Sequence, residues 1–277
     1  DEKSRGTSGQ NRIRPEKFLE IEIPLPSLEE QRRVVARIEE LAAKIEEARG
    51  LRREAEEEVS ALLVQASKSV FESLKGQKVS MEDLVGRANL KNGKSIKADG
   101  LPSGVKCLRL SAMRNGNVNC SDTKAVPMSV GEATQYWVRP DDVFIVRGNG
   151  SKELVGQAGL VTTSSDGVIF PDLFIRVPLN NHQVLPEYFV LWWNSPLMRA
   201  KIKDTAITTS GIWNINQGHI ASFSVPIPPL EEQRRIVDYL GDLQAKVNAL
   251  KRLQAETAVE LDALLPSVLD RAFRGEL

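Results

Sequence analysis

The sequence holds only two cysteines and two histidines in 277 residues, and their placement excludes several kinds of chemistry at once. Cys107 and Cys120 form no CxxC pair, and His182 and His219 stand apart, so neither a zinc cluster nor a disulfide framework is expected. No apolar run approaches the roughly 18–20 residues that a membrane span needs. The opening Asp1-Glu2-Lys3-Ser4 is polar and unlike a secretory signal, which makes the cytoplasm the expected compartment, with no membrane partner. Also lacking are the glycine-rich cofactor loop and the Asn/Asp-Pro-Pro-aromatic tetrapeptide of adenine methyltransferases, and the GxxxxGK[ST] phosphate loop. A metal-dependent nuclease needs its carboxylates in order before a lysine, but Asp122-Thr123-Lys124 precedes both Pro140-Asp141 and Pro171-Asp172. The expectation is a protein with no catalytic residues, no cofactor and no metal.

An excess of positive charge is missing as well: 37 basic residues balance 37 acidic ones. The balance is uneven along the chain. Residues 76–222 hold 16 basic and 12 acidic side chains, a net of +4, so the flanks are acidic by the same amount. An excess this small permits contact with phosphates without requiring it.

The chain does contain an internal repeat. A shift of 202 residues lays Ile23-Pro24-Leu25-Pro26-Ser27-Leu28-Glu29-Glu30-Gln31-Arg32-Arg33 on Val225-Pro226-Ile227-Pro228-Pro229-Leu230-Glu231-Glu232-Gln233-Arg234-Arg235. The match reaches back to Thr7-Ser8-Gly9 and Thr209-Ser210-Gly211, and forward to Phe71 and Phe273. In each copy alternating prolines hold the chain extended, and a helix opens directly afterwards. Ser27 and Glu30 have capping-box spacing, while Pro229 stands where a first-turn proline is tolerated.

Both helices carry a heptad seam. In the first it runs Val34, Ile38, Leu41, Ile45, Ala48, Arg52, Ala55, Val59, Leu62, Ala66, and in the second Ile236, Leu240, Leu243, Val247, Leu250, Gln254, Thr257, Leu261, Leu264, Val268. A seam so narrow on helices dense in charge predicts a two-helix antiparallel coiled coil, each helix about 70 Å long. Arg52 and Gln254 interrupt it near mid-length, and opposite chain directions would make their side chains neighbours that set the register.

The intervening stretch has short β-rich runs, such as 105–110 and 143–147, between Gly, Asn, Asp and Pro turns. Residues 185–193 and 197–202 predict one or two helices, with Trp192 and Trp193 as core. The fold class is therefore α+β: one mixed α/β domain plus two long helices. The boundaries are 1–23 for a residual stretch, 24–75 for the first helix, 76–225 for the domain and 226–277 for the second helix. Three loops of the domain suit nucleic acid. The first supplies Arg109, Arg114 and Asn115, the second Arg147, Asn149, Ser151 and Lys152, and the third Thr209, Ser210, Trp213 and Asn214. Arginine can bond guanine and asparagine adenine bidentately, while Ser, Thr and Lys hold phosphate. The same residue types also build ordinary turns, so no loop alone decides the matter.

The paired Pro-x-Pro-x-Leu-Glu-Glu-Gln-Arg-Arg segments at 24–33 and 226–235, each opening a long helix, resemble the conserved regions of type I restriction–modification specificity subunits. Tyr136-Trp137-Val138-Arg139-Pro140-Asp141-Asp142-Val143 and Arg147-Gly148-Asn149-Gly150 are similar to that family's target-recognition domain. The resemblance implies double-stranded DNA as ligand, each recognition domain reading half of a split target. It also implies methyltransferase subunits as partners and a restriction-motor subunit within the complex. Residues 1–23 match the closing stretch of a preceding recognition domain. The chain is then either the C-terminal portion of a two-domain subunit or a half-size subunit that pairs with a second copy. The alternative without the resemblance is a coiled-coil scaffold that binds no DNA.

Overall fold

The computed structural model describes residues 4–5, 12–13, 15–20, 25–74, 76–96, 105–163, 166–209 and 211–277. Two compact units are distinguished: residues 1–58 with 249–277, and residues 59–248. Two helices, α1 (Leu28–Ser73) and α4 (Leu230–Phe273), contribute to both. Among the described residues no helix is long and apolar enough to cross a membrane.

In the first unit the two helices pair in opposite directions. Arg33 Nη2 donates to the Leu277 carbonyl at 3.0 Å, Arg49 pairs with Asp262 at 2.8 Å, and Arg52 Nη2 donates to the Gln254 backbone carbonyl. The Gln254 side chain takes no part in that last contact, and its Oε1 lies buried without a partner. At the start of α1, Ser27 Oγ accepts from the Glu30 amide at 3.3 Å, while the Glu30 carboxylate turns to Arg33 at 2.7 Å. The repeat extends to backbone detail. Ser4–Arg5 pairs antiparallel with Arg12–Ile13, and a short helix covers Pro15–Leu19. Adding 202 reproduces the pairing of Ile207 with Asn214 and the helix Gln217–Ala221.

The heptad seam departs from expectation at one position in α1 and at three in α4. Leu62, Leu250, Thr257 and Leu264 are exposed, and the inward positions pass instead to Leu63 in α1 and to Ala258 and Leu265 in α4. The inward spacing is four, three over Val59–Leu63–Ala66, and four, three, four over Gln254–Ala258–Leu261–Leu265. A straight helix with 3.6 residues per turn drifts against a 3.5-residue repeat, and here the drift moves alternate seam positions by one residue while Val59, Ala66, Gln254, Leu261 and Val268 keep theirs.

The second unit is built on a six-stranded sheet. Its strands are β2 (Lys91–Asn92), β4 (Met113–Arg114), β5 (Asn117–Val118), β7 (Val143–Val146), β9 (Ala158–Leu160) and β11 (Phe174–Val177), in the order β2-β11-β7-β9-β5-β4. All four residues of β7 are buried, as a central strand of β-branched and aromatic residues requires. Smaller sheets join β1 (Lys78–Ser80) to β14 (Ser224–Pro226), and β3 (Lys106–Leu108) to β6 (Thr123–Ala125) and β10 (Val168–Ile169).

Against one face pack α2 (Pro186–Trp193) and α3 (Pro196–Thr205), each opened by a first-turn proline, the second capped by Ser195. Trp193 is fully buried, donates Nε1 to the Gly156 carbonyl at 2.7 Å and stacks on Phe189. Asn194 locks the end of α2 to β9 by bonding both the amide and the carbonyl of Ala158. The ends of the long helices complete this core through Phe71, Ile236 and Leu240. Cys107 and Cys120 are unpaired and buried, and burial pushes the Cys107 thiol up to about 11.

Candidate nucleic-acid interface

Two of the three sequence-predicted loops converge in one small sheet. After β7 the chain passes Arg147 into β8 (Gly148–Asn149), which pairs antiparallel with β13 (Ile212–Asn214), and β13 pairs with β12 (Ile207–Thr209). The order is β8-β13-β12, and Gly211, at φ 79°, turns the hairpin between β12 and β13. Gly148 lies opposite Asn214 and Asn149 opposite Trp213, although more than 60 residues separate them in the chain. Any β-carbon at 148 would stand 2.6 Å from Asn214 Oδ1, so glycine is what lets the asparagine amide occupy this place.

The side chains of the second loop divide between holding the loop and facing outward. Half-buried Arg147 is fixed through its own backbone, its amide donating to Leu173 at 2.7 Å and its carbonyl accepting from Ile215 at 2.9 Å. Asn149 Oδ1 accepts from the Ser151 amide at 2.8 Å and Ser151 Oγ from the Glu153 amide at 3.2 Å, two turns closed by polar side chains. Lys152 Nζ lies 4.6 Å from the centre of the Trp213 ring, a cation–π contact joining the second loop to the third. Asn214 Nδ2 donates to the Ile212 carbonyl at 2.9 Å, which orients the amide and leaves its Oδ1 and second N–H for a ligand. Thr209 pairs with Ile212 through its backbone, and Ser210 lies outside the described residues.

The first loop is elsewhere. Arg114, Asn115, Gly116 and Asn117 form a two-residue hairpin turn with φ 50° at Asn115 and 75° at Gly116, the geometry that an Asn-Gly pair favours. Through Asn117 and Leu160 this hairpin is level with Val143, four residues before Arg147, or about 13 Å along the strand direction. Arg109, in a different sheet region, is exposed and donates to the Thr123 carbonyl at 3.1 Å, while Arg114 donates to the Ser111 carbonyl at 3.2 Å.

Sequence reasoning named Arg147 and Lys152 but missed Arg199, Lys201 and Lys203, which also border the small sheet. Segments 147–153 and 199–207 carry Arg147, Lys152, Arg199, Lys201 and Lys203 against Glu153 and Asp204, a net of +3 that supplies most of the domain's excess. Lys203 pairs with Glu153, whereas Lys201 is exposed. Ile207 and Ile212 are also exposed, at 54% and 48%. The alternation Ile-Thr-Thr and Ile-Trp-Asn around Ser-Gly was a legible hairpin signal, but their partner strand at 148–149 could be found only in three dimensions.

Among the described residues there is no cluster of three or more metal-ligating side chains. The fold and this surface define a class: a mixed β domain with a basic, amide-bearing ribbon, in a chain that also builds an antiparallel helix pair. A family model described as type I restriction modification DNA specificity domain matches residues 2–57 and 79–261, and the chain belongs to that family. It is 29% identical to the type I restriction enzyme EcoKI specificity subunit of Escherichia coli (strain K12), over 96% of this chain and 60% of that protein. The StySPI specificity subunit of Salmonella potsdam is 27% identical over the same shares. The solved HsdS subunit from Thermoanaerobacter tengcongensis is similar with a TM-score of 0.62 and 26% identity, covering all of this chain and 66% of its own. A second solved chain, from work on complex assembly and conformational transition of the type I R-M system, gives a TM-score of 0.69 at 26% identity, over 92% of this chain and 62% of its own. The chain thus spans about 60% of the length of the curated relatives it matches.

Proposed function

We propose that this chain is a sequence-specific DNA-recognition subunit of a type I restriction–modification assembly, working in the cytoplasm and carrying no reaction of its own. The observation that supports this best is the convergence of residues 147–152 and 207–214 into one sheet, basic at its border, in a chain of the specificity-domain family. In this reading Asn214 contacts a base, Asn149 and Ser151 shape the loop, and Lys152 and Arg147 hold phosphates. Arg109, Arg114 and Asn115 make separate backbone contacts. The paired helices carry methyltransferase subunits and, through them, the restriction subunit. Apolar side chains outside the seam, among them Leu51, Leu253, Val259 and Phe273, support such a docking role. A split target needs two reading domains, and a second copy of this chain or a further domain of a longer polypeptide supplies the other.

Lys152 offers a clean test, because among the described residues no hydrogen bond or ion pair runs through its ammonium group, which rests on the Trp213 ring. In the assembly with methyltransferase subunits, Lys152→Ala is expected to weaken binding to every duplex alike and to lower the slope of log affinity against log salt by about 1. Fluorescence anisotropy with a mixed-sequence duplex, titrated with salt, reads both quantities. An unchanged slope removes Lys152 from the interface. No dependence on DNA in wild type or variant would favour the scaffold reading.

A further inference from the structure

The β12–β13 ribbon has two faces of different chemistry. In an antiparallel pair, directly opposed residues share a face and neighbours along a strand alternate. Trp213, Thr208 and Asn149 therefore lie on one face, and Ile207, Ile212 and Asn214 on the other. Trp213 packs partly against the domain core and lies under Lys152, which turns the first face inward at Trp213. The second face turns out two isoleucines, 54% and 48% exposed, around an amide held in place by the Ile212 carbonyl.

Resting on the DNA-reading role proposed above, we infer that this outward face reads thymine, with Ile207 and Ile212 covering C5-methyl groups on either side of an adenine bonded by Asn214. A two-stranded ribbon fits the major groove, where thymine alone presents a methyl group and adenine presents the N6–H and N7 pair that an asparagine amide matches. The occupant follows from charge: the segments bordering the ribbon carry five basic and two acidic residues, suited to a polyanion rather than to another apolar protein face. Ile212 and Asn214 are two residues apart on β13, about 6.7 Å, and base pairs are spaced about 3.4 Å along each strand. A strand lying along the groove thus sets the Ile212 thymine two base-pair steps from the adenine, while Ile207, directly opposite Asn214, reaches a nearer one.

The test begins by selecting duplexes from a randomised pool with the wild-type assembly. Each thymine of a selected duplex is then replaced singly by deoxyuridine, which removes only the methyl group. Affinity should fall about fourfold at one or two thymines within two steps of a selected adenine, the effect of exposing one buried methyl-sized group. Ile212→Ala should abolish the penalty at one position and Ile207→Ala at the other, with the remaining uracil effects unchanged. Indifference to uracil at every position overturns the inference while leaving the DNA-reading role intact. A penalty that persists in both variants, or variants that lose methyltransferase subunits instead, overturns it equally. If the wild-type assembly enriches no sequence, the proposed function itself fails and this inference with it.

Discussion

Replacing Gln233 by alanine is expected to destabilise the 59–248 unit by about 3–5 kcal/mol, whereas the same change at Gln31 should cost less than about 1 kcal/mol. The two residues hold the same place in the repeat. Gln233 is fully buried, with Nε2 donating to the Gln183 carbonyl at 2.9 Å and the Pro228 carbonyl at 2.8 Å, and Oε1 accepting from the Leu185 amide at 2.9 Å. Truncation orphans three backbone groups, and an unsatisfied buried group costs about 1–3 kcal/mol. Among the described residues the Gln31 side chain keeps only the local bond to the Pro26 carbonyl, at 2.9 Å near the surface. Urea unfolding of both variants, followed by tryptophan fluorescence, measures the difference. Equal losses would mean that Gln233 does not tie the domain to its helix.

Arg176→Met is the second large effect, about 3–5 kcal/mol at neutral pH. Arg176 pairs with Asp142 at 2.9 Å, donates to the Trp137 carbonyl and stacks 4.5 Å from the Phe170 ring centre, with both partners mostly buried. Burial raises the Asp142 carboxyl above its ordinary value, and the guanidinium pulls it part of the way back. Removing the guanidinium leaves burial opposed only by the amide and charge of Arg139, so the carboxyl rises further. A carboxyl that titrates higher in the folded than in the unfolded chain makes the folded state bind more protons, so stability increases as pH falls through the folded value. The loss in Arg176→Met should accordingly be smaller at pH 5 than at pH 7, as denaturant midpoints at the two values would report. A loss that grows on acidification contradicts this account of the pair.

These two sites mark what was legible in the sequence. The repeat flagged Gln31 and Gln233 as equivalents, and the shared Pro-x-Pro-x-Leu-Glu-Glu-Gln pattern marked where both helices open. The different burdens they carry were not legible, because two of the three partners of Gln233 lie 48 to 50 residues upstream in a loop with no motif. The seam was legible until accumulated helical drift carried Leu62 and Leu264 to the outside, a change of phase that a fixed heptad count does not follow. Asp142 and Arg176 showed nothing in sequence, since a buried ion pair needs β7 and β11 side by side. The candidate surface was half visible: the residues of its two loops stood out by type, while their union through Asn149 and Trp213, and their separation from Arg114, depend on long-range pairing.

The central claim is that the β8-β13-β12 sheet is the surface that meets DNA. Hydrogen–deuterium exchange on the chain assembled with methyltransferase subunits, with and without a selected duplex, tests it most directly. Amides in 147–152 and 207–214 should slow on adding DNA, with the first loop, 109–117, changing less. Protection confined to 109–117, or absent from the domain altogether, would contradict the claim.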